Sequence, residues 1–264
     1  MTTIASSPRL EALKRHLRGV KRRLLWVLVA FGLGASTTWY FNKQVMLWLL
    51  APAHGQLSAS GQPIFTGPTE MFSLTLHLTT VGGLVAAVPV LVFHVARFVS
   101  PALNRRQRRF LALLLPASLV SCLAGVAFAY FVLLPAGLAF LLRFGVDIAQ
   151  PMISITEYME LALAMLFALG VVFELPLAMF LLARLRVVSY QRFGQLRRYV
   201  PAAAIIFSII ITPTTDYVNM GLVAGPIVVL FEAGMVLAWL ARPRKQLRLG
   251  RRVREVMEAA QEAT

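Results

Sequence analysis

Two carboxylates lie in surroundings that offer them little polar company. Glu174 sits in Phe173-Glu174-Leu175-Pro176, deep inside an apolar run at residues 161–183. Glu232 follows Phe231 in another apolar run, residues 218–240. A charged side chain at the centre of a bilayer costs roughly 3 kcal/mol on an insertion scale. Such a residue faces other helices or a cavity rather than lipid tails. Two roles fit Glu174: it hydrogen-bonds a polar group on a partner's helix, or it satisfies backbone groups freed by Pro176 or by a neighbouring helix. The same alternatives hold for Glu232.

Little else in the chain is equipped for chemistry. His16, His54, His77 and His94 are scattered, with no H-E-x-x-H and no pair at ligand spacing. Cys122 is the only cysteine, which excludes an intramolecular disulfide and a cysteine-based metal site. The chain has no Gly-rich phosphate loop and no G-x-S-x-G elbow. No cofactor, no metal and no enzymatic activity is expected.

The elements that hold these acids are membrane helices. Apolar residues make up 58% of the chain, far more than a soluble surface tolerates. Long apolar runs recur at residues 24–41, 79–95, 110–144, 161–183, 200–211 and 218–240. A helix needs about 20 apolar residues to cross a bilayer. None of the runs alternates as a membrane β-barrel strand would. The expected fold is all-α, with about six transmembrane helices.

Charge placement orients them. The formal net charge is +15, and basic proteins often bind nucleic acid. Here the basic residues gather in blocks at 9–23, 97–109, 184–198 and 242–254, and only Lys43 and Arg143 fall outside them. The segments between the blocks are nearly free of basic residues. That is the positive-inside pattern. It places both termini and two internal connections in the cytoplasm and argues against nucleic acid. Glu70, Asp147, Glu157 and Asp216 fall near the opposite side.

The N-terminus is basic and then apolar, like a signal peptide, but its apolar run is too long and no A-x-A site follows. It reads as a retained first helix. Leu10, Leu13, Leu17, Val20 and Leu24 recur at helical spacing among Lys14, Arg15, Arg18, Lys21 and Arg22. An amphipathic helix at the anionic membrane surface, running into the first span, is expected. Residues 42–70 form a turn-rich outer loop, with Met46, Leu47, Leu49 and Leu50 packed on the membrane surface. The third run is too long for one straight crossing and carries Pro116 and Pro135, so it should bend and project beyond the bilayer.

The fifth and sixth spans look short. Residues 199–212 offer about fourteen residues, which cover only about 21 Å. Thr212-Pro213-Thr214-Thr215-Asp216 makes a tight turn between the two spans. Prolines 89, 116, 135, 176, 201 and 226 suggest a curved bundle, the form a docking surface needs. Residues 1–242 make one transmembrane domain, and residues 243–264 a charged cytoplasmic tail. A small-solute carrier would show inverted repeats, and none is visible.

An ordered set of motifs resembles one family. It begins with His16-Leu17 ahead of Lys21-Arg22-Arg23, then Glu70-x-Phe72 and Phe98-Val99-Ser100-Pro101-Ala102-Leu103 with Arg108-Arg109. Gly125-Val126-Ala127-Phe128-Ala129-Tyr130-Phe131 with Pro135 follows, then Phe173-Glu174-Leu175-Pro176. Arg198-Tyr199, Thr212-Pro213 with Asp216, and Pro226 with Phe231-Glu232 complete it. Over residues 10–242 the chain is similar to the TatC component of the twin-arginine protein translocase.

The resemblance implies a six-helix, glove-shaped bundle in the inner (cytoplasmic) membrane. It implies binding of twin-arginine signal peptides of folded export substrates on the cytoplasmic face. It also implies recruitment of TatA-like and TatB-like single-span subunits into a homo- or hetero-oligomer, with transport driven by the proton-motive force. Candidate signal-peptide residues are Gly19, Arg23, Phe98, Pro101, Leu103 and Gln107. Candidate partner-docking or intramembrane polar residues are Glu174, Thr212, Asp216 and Glu232.

Two departures stand out. The family pattern carries glutamates at the positions that Gly19 and Gln107 hold here. Those carboxylates are the groups thought to receive the signal's arginines, and guanidinium binds carboxylate through paired, charge-assisted hydrogen bonds. Gly19 has no side chain and Gln107 no charge. A divergent paralogue that keeps the scaffold but has lost direct twin-arginine recognition is therefore the alternative.

Overall fold

The computed structural model describes residues 8–53, 67–99, 105–143, 154–185, 187–211 and 217–241. The tail at 243–264, the turn at 212–216 and most of the loop after Pro52 lie outside them. The first helix, α1 (Pro8–Tyr40), is continuous from the basic segment into the apolar one. It packs along α3 (Glu70–Val99), which follows the short α2 (Asn42–Leu50). Glycines let α1 and α3 approach closely. A Cβ on Gly34 would lie 2.5 Å from the Ala86 Cβ, and Gly82 and Gly83 meet Thr38 and Phe31. Small residues at such contacts are how membrane helices gain packing that lipid cannot supply.

The apolar part of α1, residues 24–40, extends only about 25 Å, short of the ~30 Å hydrocarbon core. The chain then turns by 77° at Phe41 into α2. The Asn42 side-chain amide donates to the Trp39 carbonyl at 2.7 Å, which closes the end of α1. Met46, Leu49 and Leu50 of α2 are buried in the protein core, while Leu47 and Trp48 are exposed. The expected packing of all four apolar residues on the membrane surface is thus corrected for three of them. The last carbonyls of a helix lack the full set of intrahelical donors; at the end of α2 the Ala51 N–H donates to the Trp48 carbonyl. Two tyrosine hydroxyls add to this: Tyr130 donates a second bond to the Trp48 carbonyl at 2.8 Å, and Tyr158 donates to the Leu49 carbonyl at 2.6 Å. The Tyr130 ring also stacks on Trp48 at 4.1 Å.

The third apolar run forms α4 (Arg105–Phe128), a π-helical turn at Ala129–Leu133, and α5 (Leu134–Arg143) without interruption. The Leu134 N–H reaches back to the Ala129 carbonyl, five residues earlier. Pro135 has no N–H to donate and its ring crowds the preceding turn. The wider turn accommodates it.

The fourth run is broken at Phe173 into α6 (Ile155–Val172) and α7 (Glu174–Arg184). Ser154 caps α6, its hydroxyl accepting from the Thr156 N–H at 3.2 Å. Pro176 falls in the first turn of α7, where a missing N–H costs nothing. α6 is the central helix, with Tyr158, Met159, Met165 and Leu169 almost fully enclosed.

The last spans are longer than their hydropathy suggests. α8 (Tyr190–Leu196), a 3-10 turn at Arg197–Tyr199 and α9 (Val200–Ile211) form one 22-residue stretch. That is about 33 Å at 1.5 Å per residue. The sixth, α10 (Tyr217–Leu240), has 24 residues. Neither is short. Among the described residues, five helices are long and apolar enough to cross a membrane, and α1 with α2 makes a sixth crossing if the bent pair is one span. Ile205, Ile206, Ile209 and Ile210 of α9 are exposed, as side chains facing lipid would be.

Candidate functional site

Where α4 meets the α6–α7 break, small residues and one acid converge. Ser118, Ser121, Cys122 and Gly125 share a face of α4, since they are three or four residues apart. Gly125 is pressed against the Leu169 carbonyl of α6, where a Cβ would lie 2.5 Å away. Ser121 donates its hydroxyl to the Phe173 carbonyl at 2.6 Å. Glu174, the first residue of α7, is 4% exposed. Its Oε1 accepts from the Ser118 hydroxyl at 2.7 Å, and its Oε2 is buried with no partner. Within the chain, Glu174 bonds a side chain of the neighbouring helix α4. It does not stand open on a surface, and its bond runs to a serine side chain rather than to a freed backbone group. Ser121, instead, serves the backbone at the break.

Glu232 is brought to Arg197. The carboxylate accepts from the Arg197 Nε at 2.6 Å, with the side chains 40% and 64% exposed respectively. Two residues along α10, Gly234 lies against Met179 and the Pro176 Cα, which brings α10 close to α7. Arg198 donates to the Tyr199 hydroxyl and lies over its ring.

Of the expected signal-binding residues, the structure joins Arg23 and Phe98. The Arg23 guanidinium sits 5.0 Å from the Phe98 ring centroid, a cation–π contact. Its Nη1 is buried with no hydrogen-bond partner. Gly19 is one turn before Arg23 on α1, and a Cβ there would meet nothing within 4 Å. Gln107 falls in the first turn of α4. Pro101 and Leu103, like Thr212 and Asp216, lie outside the described residues.

Sequence reasoning named Glu70 without giving it a task. Its Oε1 accepts from the Ser154 hydroxyl at 2.7 Å and the Thr156 hydroxyl at 2.6 Å, and its Oε2 from the Gly67 N–H at 3.1 Å. One acid thus ties the start of α3 to the start of α6, where negative charge also suits both helix dipoles. Ser118 and Ser121 were missed altogether. Their signal was present in the small-residue spacing Ser118, Ser121, Cys122, Gly125 inside an apolar run. Among the described residues, no group of three histidine, cysteine or acidic side chains is placed to hold a metal.

Comparison with known proteins places these features in a family. The family model for the Sec-independent protein translocase protein (TatC) matches residues 15–226. A Sec-independent protein translocase protein TatC from Koribacter versatilis is 32% identical over 257 residues, covering 94% of this chain and 93% of that one. A protein of the same name from Carboxydothermus hydrogenoformans is 28% identical, covering 87% and 93%. A crystal structure of a twin-arginine translocase receptor, TatC, superposes with a TM-score of 0.74 at 31% identity, covering 86% of this chain and 99% of that one.

Proposed function

The chain belongs to the TatC family of Sec-independent protein translocase proteins, and on that premise we propose that it receives the signal peptides of folded export substrates and seats single-span partner subunits. One observation carries this: the likeness runs through nearly the whole bundle rather than a single helix. The basic ends of the helices face the cytoplasm, in keeping with the distribution of lysine and arginine. Signal peptides meet the cytoplasmic ends of α1 and α3, around Arg23 and Phe98. TatA-like and TatB-like subunits dock at the intramembrane polar positions, chiefly Glu174, with Glu232, Thr212 and Asp216 as further candidates.

The test is export. In cells deprived of their own TatC, this chain together with its cognate small subunits carries a folded reporter bearing a twin-arginine signal across the membrane. Glu174→Ala lowers crosslinking to a single-span subunit severalfold while the bundle still folds, because a hydrogen bond between membrane helices contributes only about 1 kcal/mol. Unchanged crosslinking by Glu174→Ala removes the docking role.

A second reading has an observation of its own. Where the resemblance leads one to expect a carboxylate beside Arg23, Gly19 leaves open space. A signal's arginine pair arriving there meets cations: Lys21 and Arg22 are exposed on the same turn. That favours a scaffold whose direct recognition of twin arginines is weak.

A further inference from the structure

We infer that Ser118 is a positioning residue for Glu174: it holds the acid folded into the α4–α7 contact, and a partner helix reaches the carboxyl only by taking the place of the Ser118 hydroxyl. This rests on the docking role proposed for Glu174 and adds what governs it.

The closed arrangement is complete but weakly held. Glu174 is 4% exposed and Ser118 is 0% exposed, so no partner touches the acid as it stands. Among the described residues, one hydroxyl bond, on Oε1, is its only hydrogen bond, and Oε2 is enclosed with no partner. A buried acceptor without a donor is unfavourable. An incoming amide or hydroxyl that satisfies the carboxyl therefore replaces one hydrogen bond and gains a use for the second oxygen.

Both residues have somewhere to go. Val171 and Leu175 flank Glu174 on exposed positions of the same span, so Glu174 lies at the edge of an exposed stripe. The exchange requires only that the carboxyl turn about its side-chain bonds toward that stripe, with α7 in place. Ser118 is not orphaned by the exchange. Hydroxyls on helices can bond the carbonyl four residues earlier, and Thr37, Thr75 and Thr80 of this chain do so at 2.8 Å. For Ser118 that carbonyl belongs to Leu114. Ser121, bonded to the Phe173 carbonyl, and Gly125, packed on Leu169, keep α4 against α6 and α7 throughout. The exchange is confined to two side chains. The ligand it suits is a hydrogen-bond donor, a side-chain amide or hydroxyl, carried on an otherwise apolar helix.

Two measurements on the full chain in lipid nanodiscs test this. In the first, a membrane-soluble carbodiimide labels Glu174, read by mass spectrometry with Glu174→Gln as the blank. Ser118→Ala raises the labelling rate severalfold over wild type, and Ser118→Thr, which keeps the hydroxyl, stays near wild type. In the second, a TatA-type single-span subunit is crosslinked to the same variants. Ser118→Ala raises its apparent affinity about three- to fivefold, the worth of one hydrogen bond, and has no effect in a Glu174→Ala background. Equal labelling of wild type and Ser118→Ala overturns the inference, as does weaker docking by Ser118→Ala. If labelling rises but Glu174→Ala docks normally, Ser118 does hold the acid closed and it is the docking role that falls. Should Ser118→Ala fold poorly, Ser118→Cys, with its weak donor, gives the same comparison.

Discussion

The Tyr158 hydroxyl donates to the Leu49 carbonyl at 2.6 Å, joining residues 109 apart in the chain. Both ends of this bond are enclosed: Tyr158 is among the largest fully buried side chains, and so is Leu49. Removing the hydroxyl leaves a buried carbonyl with no donor, which costs about 1–3 kcal/mol. Tyr158→Phe should therefore lower the unfolding midpoint in detergent by several degrees. Tyr130→Phe should cost less, because the Trp48 carbonyl keeps the Ala51 N–H as a donor. Thermal melts of the two variants in one detergent check the order; equal midpoints would contradict it.

Glu70 gathers donors from both ends of an interhelical contact. Glu70→Ala leaves the Ser154 and Thr156 hydroxyls to find other acceptors and should destabilise the bundle by about 2 kcal/mol, in the range for bonds to a charged group. Glu70→Gln keeps an acceptor oxygen and should lose less. Cysteine accessibility at the start of α6 should rise in the alanine variant and not in the glutamine one.

Signal recognition is open to direct measurement. At Gly19 a new side chain meets no obstacle, since a Cβ there has nothing within 4 Å. Gly19→Glu with Gln107→Glu should therefore fold, and should raise affinity for a twin-arginine signal peptide roughly a hundredfold or more. That follows if each restored carboxylate contributes about 1.5–3 kcal/mol in a partly desolvated contact, at about 1.4 kcal/mol per factor of ten. A twin-lysine peptide is the control. Tight, arginine-dependent binding by the unmodified chain would mean that another group receives the arginines.

Topology follows from the basic blocks. A cysteine at position 105 should react with a membrane-impermeant reagent only from the cytoplasmic side, and cysteines placed in residues 50–65 only from the outside. Labelling of position 105 from outside would overturn the orientation of every helix.

The spans were legible because lipid demands long apolar runs, and Glu174 was legible because an acid in such a run has to be enclosed. Its partner was not. Ser118 is small and barely polar on a hydropathy scale, and only packing brings it within 2.7 Å of an acid 56 residues away. The fifth span looked too short because Arg197 and Arg198 interrupt the apolar run, although the helical path continues through them. For α2, an apolar face on nine residues reads the same whether lipid or protein covers it. The tyrosine hydroxyls from α6 and the π-helical turn decide the matter, and they come from distant parts of the chain.

The Arg197–Glu232 pair bears on how this corner of the bundle meets a membrane potential. A lone charge carried fully across a bilayer exchanges about 2.3 kcal/mol with a field of 100 mV. Two opposite charges 2.6 Å apart form a short dipole instead. Over a core of ~30 Å they sense at most about a tenth of that energy. While the pair stays closed, voltage exerts almost no torque on the contact between α10 and the turn ahead of α9.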